Sequence, residues 1–288
     1  MDDTAVSGTI LLGDVVERAQ ELTPGSIQCV FTSPPYALQR ADQYGGVPED
    51  EYPDWTVAWL DALRPALTAD ASVFINIRAH VTDGELSDYV LRTRLAVRQA
   101  GWIECDQLIW HKRSAPPLGD NNRPRRAWEP VLWFSPSRRP FCDPRANGRQ
   151  SDRIGFQGSK HGHAGGWIRQ ERSHTITSGR ATGTDVCHIH MHAGEYANDL
   201  RHPAPFPESL PAWFIRMGTA PGDLVCDPFL GSGTTAVAAI REHRRWVGIE
   251  RDPAYAQGAW RRIAAEPPPL PLEDHDDQSP ATQQPLWS

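Results

Sequence analysis

Two turns in this chain carry residue types that could do chemistry. The first is Thr32-Ser33-Pro34-Pro35-Tyr36, entered from the β-prone run Ile27 to Phe31. Its prolines fix φ and remove two N–H donors, which leaves the Ser33 and Pro34 carbonyls to accept hydrogen bonds from elsewhere. Ser33 adds a hydroxyl, and Tyr36 a flat ring with a polar tip. Two acceptors beside a stacking face suit a planar group bearing an NH2. Taken alone, the stretch reads just as well as an ordinary Pro-Pro turn with a core tyrosine.

The second turn is Asp227-Pro228-Phe229-Leu230-Gly231-Ser232-Gly233-Thr234-Thr235-Ala236, set between a strand and a helix. Gly231 and Gly233 let the backbone turn tightly and approach a ligand, while Ala236 allows close helix–strand packing. The next strand ends at Glu250, at the spacing where an acidic residue meets ribose hydroxyls. This fits a dinucleotide fingerprint or any adenosine ligand held at a strand end. It is not a Walker loop, because no lysine follows the second glycine. A carboxylate at Asp227 would repel a pyrophosphate and attract an ammonium, which favours a cationic adenosine such as S-adenosylmethionine over NAD. A structural turn with no ligand is the plain alternative.

The elements that must position these turns alternate strand and helix. Strands are expected at Ser26–Phe31, Ser72–Ile77, Trp102–Trp110, Pro130–Phe134, Leu224–Cys226 and Arg245–Ile249. Helices are expected at Trp55–Leu67, at Glu85–Gln99 with Leu86, Val90 and Val97 inward, and at Glu208–Met217. Two more follow, one after the glycine loop through Glu242 and one over Ala254–Ala265. The stretch Ala37 to Tyr52 reads as a mobile loop beside the first turn. From Ser135 to Arg201 the periodicity fades into Gly, Arg and His, read as an inserted, irregular recognition segment. Pro267 onward reads as a disordered acidic tail. Alternation throughout means an α/β sheet covered on both faces.

Three blocks together resemble the amino-group DNA methyltransferases, the N4-cytosine and N6-adenine enzymes. They are Thr32-Ser33-Pro34-Pro35-Tyr36, His202-Pro203-Ala204-Pro205-Phe206-Pro207-Glu208, and the run Asp227 to Thr235. The catalytic block precedes the cofactor block, as in the permuted beta group, and the likeness covers about residues 9 to 265. It implies a Rossmann-like S-adenosylmethionine-dependent fold, a mostly parallel seven-stranded sheet with helices on both faces. The catalytic domain would be 1–266, holding the recognition segment at about 135–201, with 267–288 as the tail. Gly231, Ser232, Gly233 and Thr234 would shape the methionine pocket, with Asp227 and Phe229 beside it. Glu250 would hold the ribose, Phe206 would line the facing side, and Asp14 would match the acidic position near adenine. Ser33, where many adenine enzymes carry Asp, favours the N4-cytosine branch, with N6-adenine as the alternative.

An exocyclic amino group is a poor nucleophile because its lone pair is delocalised into the ring. Hydrogen bonds from it to Ser33 and the Pro34 carbonyl would free that lone pair, a matter of positioning and electrostatics. Tyr36 would stack on a base flipped out of duplex DNA. C5-cytosine chemistry needs a nucleophilic cysteine, typically after proline, and none of Cys29, Cys105, Cys142, Cys187 and Cys226 follows one. An oxidoreductase using the glycine loop leaves the proline turn unexplained; a non-catalytic DNA-binding module is the third class.

The formal net charge of −7 speaks against nucleic acid, but its distribution does not. Arg123, Arg125, Arg126, Arg138 and Arg139 lie in a basic middle section and are the candidate phosphate contacts, with a plain solvated face as the other reading. Trp128-Glu129-Pro130 and Trp133-Phe134 would frame the flipped base or fill the core. His188, His190 and His192, with Cys187 and His174 nearby, lack a zinc-ligand pattern, so no metal is expected. The scattered cysteines, acidic start and lack of a membrane-length apolar run point to the cytoplasm of a bacterium or phage-infected host. That reading leaves room for a cognate restriction endonuclease outside the chain, and for a monomer or a homodimer.

Overall fold

The computed structural model describes residues 8–37, 46–112, 123–148, 182–189 and 206–269. In chain order the elements are β1 (Gly8–Leu12), α1 (Val15–Arg18), β2 (Ile27–Thr32), α2 (Tyr52–Leu63), β3 (Leu67–Asn76), β4 (Val81–Thr82) and β5 (Glu85–Leu86). Then come α3 (Tyr89–Gln99), β6 (Ile103–Lys112), β7 (Trp128–Ser135), β8 (Val186–Ile189), α4 (Ser209–Gly218), β9 (Leu224–Asp227), α5 (Thr234–Arg241), β10 (Arg245–Glu250) and α6 (Pro253–Ala264).

The main sheet has the order β1-β10-β9-β2-β3-β7-β6-β8. The run from β1 to β3 is parallel throughout, and β7 runs antiparallel to both β3 and β6. Strands such as β2 are buried on both faces, so apolar residues do not alternate with polar ones. Ile27 and Val30 enter the core under α1, α2 and α3, where Trp59, Leu60, Leu63 and Val97 are buried. Cys29 and Phe31 enter the opposite core with Leu210, Phe214 and Ile215 of α4 and Ala259 and Ile263 of α6. The three-layer architecture is therefore the one expected from the alternation of elements.

Three local expectations need correction. The sheet has eight strands where seven were expected, because Val186–Ile189 pairs in parallel with β6. Part of the segment at 135–201 thus belongs to the sheet and is not irregular; residues 149–181 and 190–201 of it lie outside the described residues. The helix expected from Glu85 begins at Tyr89. Asp83 and Gly84 both take positive φ, 51° and 81°, which closes the β4–β5 hairpin. Leu86 is consequently 57% exposed on that hairpin and not turned inward.

All five cysteines are free. Among the described residues, no helix is long and apolar enough to cross a membrane. Residues 38–45 of the loop expected from Ala37 to Tyr52 lie outside the described residues, and of the expected tail only residues 267–269 are described.

Candidate active site

The two reactive turns leave neighbouring strands at the same edge of the sheet. β2 pairs in parallel with β9, Val30 opposite Cys226, so Ser33 and Pro228 each follow their strand at adjacent corners. Neighbouring strands lie about 4.8 Å apart. The chain winds away in opposite directions from this pair, since β10 flanks β9 and β3 flanks β2. Such a reversal opens a crevice beyond the strands' carboxyl ends, where α/β sheets bind ligands.

At the first corner, α2 fixes the proline turn: the Tyr52 hydroxyl donates to the Pro35 carbonyl at 2.9 Å. Among the described residues, none donates to the Ser33 or Pro34 carbonyl. Tyr36 is anchored by its hydroxyl, which donates to Glu129 at 3.0 Å. Burial above all, and then the nearby Glu129 carboxylate, pushes the Tyr36 hydroxyl well above its usual pKa, so it remains protonated.

At the second corner Gly231 and Gly233 take φ of 54° and 80°, the left-handed region that favours glycine. A Cβ on Gly233 would also meet Ile263 and Ala259 of α6 at 3.1 and 3.2 Å. Glu250 is held by two backbone amides, Gly231 N–H on Oε2 and Asp252 N–H on Oε1, both at 2.8 Å. Those bonds fix the carboxylate and leave lone pairs on each oxygen for a vicinal diol. Burial raises its pKa, against the hydrogen bonds that lower it. The tight glycine turn and this oriented carboxylate at the end of β10 fit an adenosine cofactor.

Asp227 departs from the expected picture. It is 3% exposed and accepts from the Thr235 hydroxyl at 2.6 Å and the Phe229 amide at 3.1 Å. Burial pushes its pKa up to about 6. The carboxylate therefore shapes the loop from within instead of presenting itself to a ligand. Phe229 likewise packs inward, its ring 5.3 Å from Trp55 and 5.4 Å from Trp59 of α2. Asp14 caps α1 by accepting from the Val16 amide, immediately after Gly13 donates to the Glu250 carbonyl. Phe206 meets Phe31 edge-on at 5.6 Å, and His202 to Pro205 lie outside the described residues.

The candidate phosphate contacts separate into two groups. Arg123, Arg125 and Arg126 precede β7 at the edge that carries the reactive corners. Arg123 donates to the Gly84 carbonyl and Arg126 to that of Ala79, so these two brace the hairpin, while Arg125 is exposed. Arg138 and Arg139 follow Ser135, at the other end of β7. Because β7 is antiparallel to β3, that end lies opposite the reactive edge, about 20 Å away for strands of this length. They are corrected from the site: a local charge cluster does not reveal which end of an antiparallel strand it adorns.

The sequence passed over several residues that build the site. Arg262 of α6 donates to the Ser232 carbonyl (3.2 Å), the Ser232 hydroxyl (3.4 Å) and the Thr234 hydroxyl (3.0 Å). Its other nitrogen reaches Glu208 at 2.6 Å, joining the glycine loop to the segment after Phe206. Thr235 and Glu208 stood inside the quoted blocks; Arg262 carried no local signal. Glu129 collects Tyr36, Asn76, Arg78 and Lys112 around one buried carboxylate. His188 lies 3.0 Å from His111, nitrogen to nitrogen, and His174, His190 and His192 fall outside the described residues. Among the described residues, no group of three or more His, Cys, Asp or Glu could hold a metal ion.

A family model described as DNA methylase matches residues 27–261. The chain is 30% identical over 285 residues to the Type II methyltransferase M.PvuII of Proteus hauseri, spanning 90% of this chain and 84% of that protein. It is 27% identical over 292 residues to the Type II methyltransferase M.XycI of Xanthomonas campestris pv. cyanopsidis, covering 90% and 88%. Among solved structures, the PvuII DNA methyltransferase, described as cytosine-N4-specific, aligns with a TM-score of 0.67 at 27% identity, covering 89% of this chain and 86% of the other. The M1.HpyAVI–SAM complex shares the fold, with a TM-score of 0.57 at 19% identity over 89% and 100% of the two chains.

Proposed function

This chain belongs to the N6/N4 DNA methylase family, and on that footing we propose that its target is the N4 amino group of cytosine. It is an S-adenosylmethionine-dependent enzyme that methylates an exocyclic amino group in DNA at specific sites. Two things support cytosine as the base. Ser33 opens the catalytic turn where many adenine enzymes carry Asp, and a relative aligned over most of the chain is described as cytosine-N4-specific.

The observation that carries the reading is the adjacency of the Ser33 corner and the glycine loop on paired strands β2 and β9. Bound S-adenosylmethionine supplies an electrophilic methyl group at that crevice. Glu250 would hold the ribose and the Gly231–Thr234 turn the methionine end, with Arg262 bracing the turn from below. On the facing side, the Pro34 carbonyl and the Ser33 hydroxyl accept the two N–H bonds of the target amino group. That hydrogen bonding draws the nitrogen toward tetrahedral geometry and frees its lone pair. Tyr36 stacks on the extruded base, which cannot reach the crevice while paired. Arg125 meets the DNA backbone at the same edge, and parts of 135–201 read the sequence. A cognate endonuclease would cut the same site when unmethylated.

The test is nucleoside mass spectrometry of DNA incubated with the purified protein and S-adenosylmethionine. N4-methyldeoxycytidine is expected. Product confined to N6-methyldeoxyadenosine would move the chain to the adenine branch, and 5-methyldeoxycytidine would contradict the proposed chemistry altogether.

A further inference from the structure

Three side chains that the methyl transfer itself does not use stand in one row across the far strands of the sheet. Trp128 opens β7, His111 is the last residue but one of β6, and His188 the last but one of β8. Trp128 is in register with His111, and His111 with His188. Residues in register share a face of the sheet, so the three lie side by side on one side of it. That side is the one packed by α3. Leu132 and Gln107 pair on it further from the reactive edge, where Leu132 enters the core under α3 and Gln107 accepts from Arg94 at 2.7 Å. The row itself reaches beyond that packing: Trp128 is 50% exposed and His188 is exposed.

All three stand at the edge that carries the catalytic corner. A flipped base remains tied to its duplex, so the duplex must lie across the strand ends beside the crevice. β7 is two strands from β2 and β8 is four, about 10 and 19 Å at roughly 4.8 Å per strand. For a duplex lying along that line, at about 3.4 Å per base pair, the row falls roughly three to six base pairs from the target base. Arg125, exposed just before Trp128, brings positive charge to the same place. The row offers different chemistry. The Nδ1 atoms of His111 and His188 are 3.0 Å apart, with ring centroids at 5.0 Å and ring planes at 79°. A hydrogen bond between them requires one Nδ1 without a proton. That ring then carries its proton on Nε2 as a donor, while the donating ring can keep a lone pair on its own Nε2. A donor and an acceptor beside an indole suit base edges and methyl groups, whereas phosphates are met chiefly by Arg and Lys.

We propose that Trp128, His111 and His188 form a base-contacting surface for the substrate duplex: the two imidazoles hydrogen-bond base edges beside the target base, and the Trp128 ring packs against the same bases. This rests on the recognition role given above to parts of 135–201 and extends it to β6 and β7, outside that segment. It holds whichever amino group is methylated.

The experiment compares Trp128→Ala and His188→Ala with the wild-type full chain. Sequencing of DNA methylated by the wild type gives its site. Fluorescence anisotropy then measures affinity for a duplex with that site and for one without it, over a series of salt concentrations. Each variant is expected to lower the ratio of the two affinities about tenfold, and to methylate sites that differ from the wild-type site at one base pair. The slope of log affinity against log salt, the affinity for S-adenosylmethionine and the melting temperature should match the wild type. An unchanged affinity ratio in either variant would overturn the proposal, as would a slope reduced by about 0.9, the mark of a lost phosphate contact. Should Trp128→Ala not fold, His188→Ala decides alone, since that side chain is exposed on the edge strand. A wild-type enzyme with no preference among sequences fails the recognition reading itself; one whose preference the variants keep intact fails this inference alone.

Discussion

Asp227→Asn is the most direct probe of how the cofactor loop is built. In the native fold this carboxyl is buried, and its pKa is raised from 3.8 to about 6. A pKa unit corresponds to about 1.4 kcal/mol, so keeping the group ionised costs the native state about 3 kcal/mol. The sign follows from linkage. Between roughly pH 4 and 6 the folded protein keeps a proton that the unfolded chain has released, so stability falls as pH rises through that interval. Above it, the whole cost is present. Asparagine retains an acceptor for the Phe229 amide, and its NH2 faces the Thr235 hydroxyl, which can turn to accept. Urea unfolding of both proteins from pH 4 to 7 should therefore show the stability difference moving by about 3 kcal/mol in favour of the variant. A difference independent of pH, or one that moves the other way, refutes the reasoning. Because the carboxylate faces inward, cofactor affinity should weaken less than about tenfold, whereas direct pairing with the methionine ammonium would lose considerably more.

Three further outcomes can be checked. Gly248→Ala would set a Cβ 2.5 Å from the Leu230 Cδ2 inside the glycine turn; chemical denaturation should show a loss of about 1–3 kcal/mol, and calorimetry a weaker cofactor. Arg262→Met removes the donor to Ser232 and Thr234. It should raise the cofactor Kd about tenfold while DNA binding, measured separately by anisotropy, stays as it was. Arg125→Ala should reduce the slope of log affinity against log salt by about 0.9, whereas Arg138→Ala with Arg139→Ala should leave that slope unchanged.

What was legible in the sequence was what short-range chemistry dictates. Two prolines after a strand, and two glycines before a helix, announce their backbone conformations wherever they occur, and Gly231 and Gly233 adopt the positive φ their turn requires. The same local logic explains the errors. Helical spacing at Glu85–Val97 was compelling until Asp83 and Gly84, with their own turn preference, cut Leu86 away from the helix. β8 is only four residues long, too short to display a period.

Information about reach is of a different kind. Nothing around Asp227 says that its turn will stand beside Ser33; that follows only once β2 and β9 pair. Nothing around Arg138 says that β7 has carried it away from the crevice. Glu129 shows the asymmetry most clearly: as one acid in an aromatic strand it reads as framing or core. Its surroundings, a tyrosine, an asparagine, an arginine and a lysine, are brought to it from three places in the chain. Turn chemistry can be read from neighbours in sequence, while the partners of a buried carboxylate depend on neighbours in space.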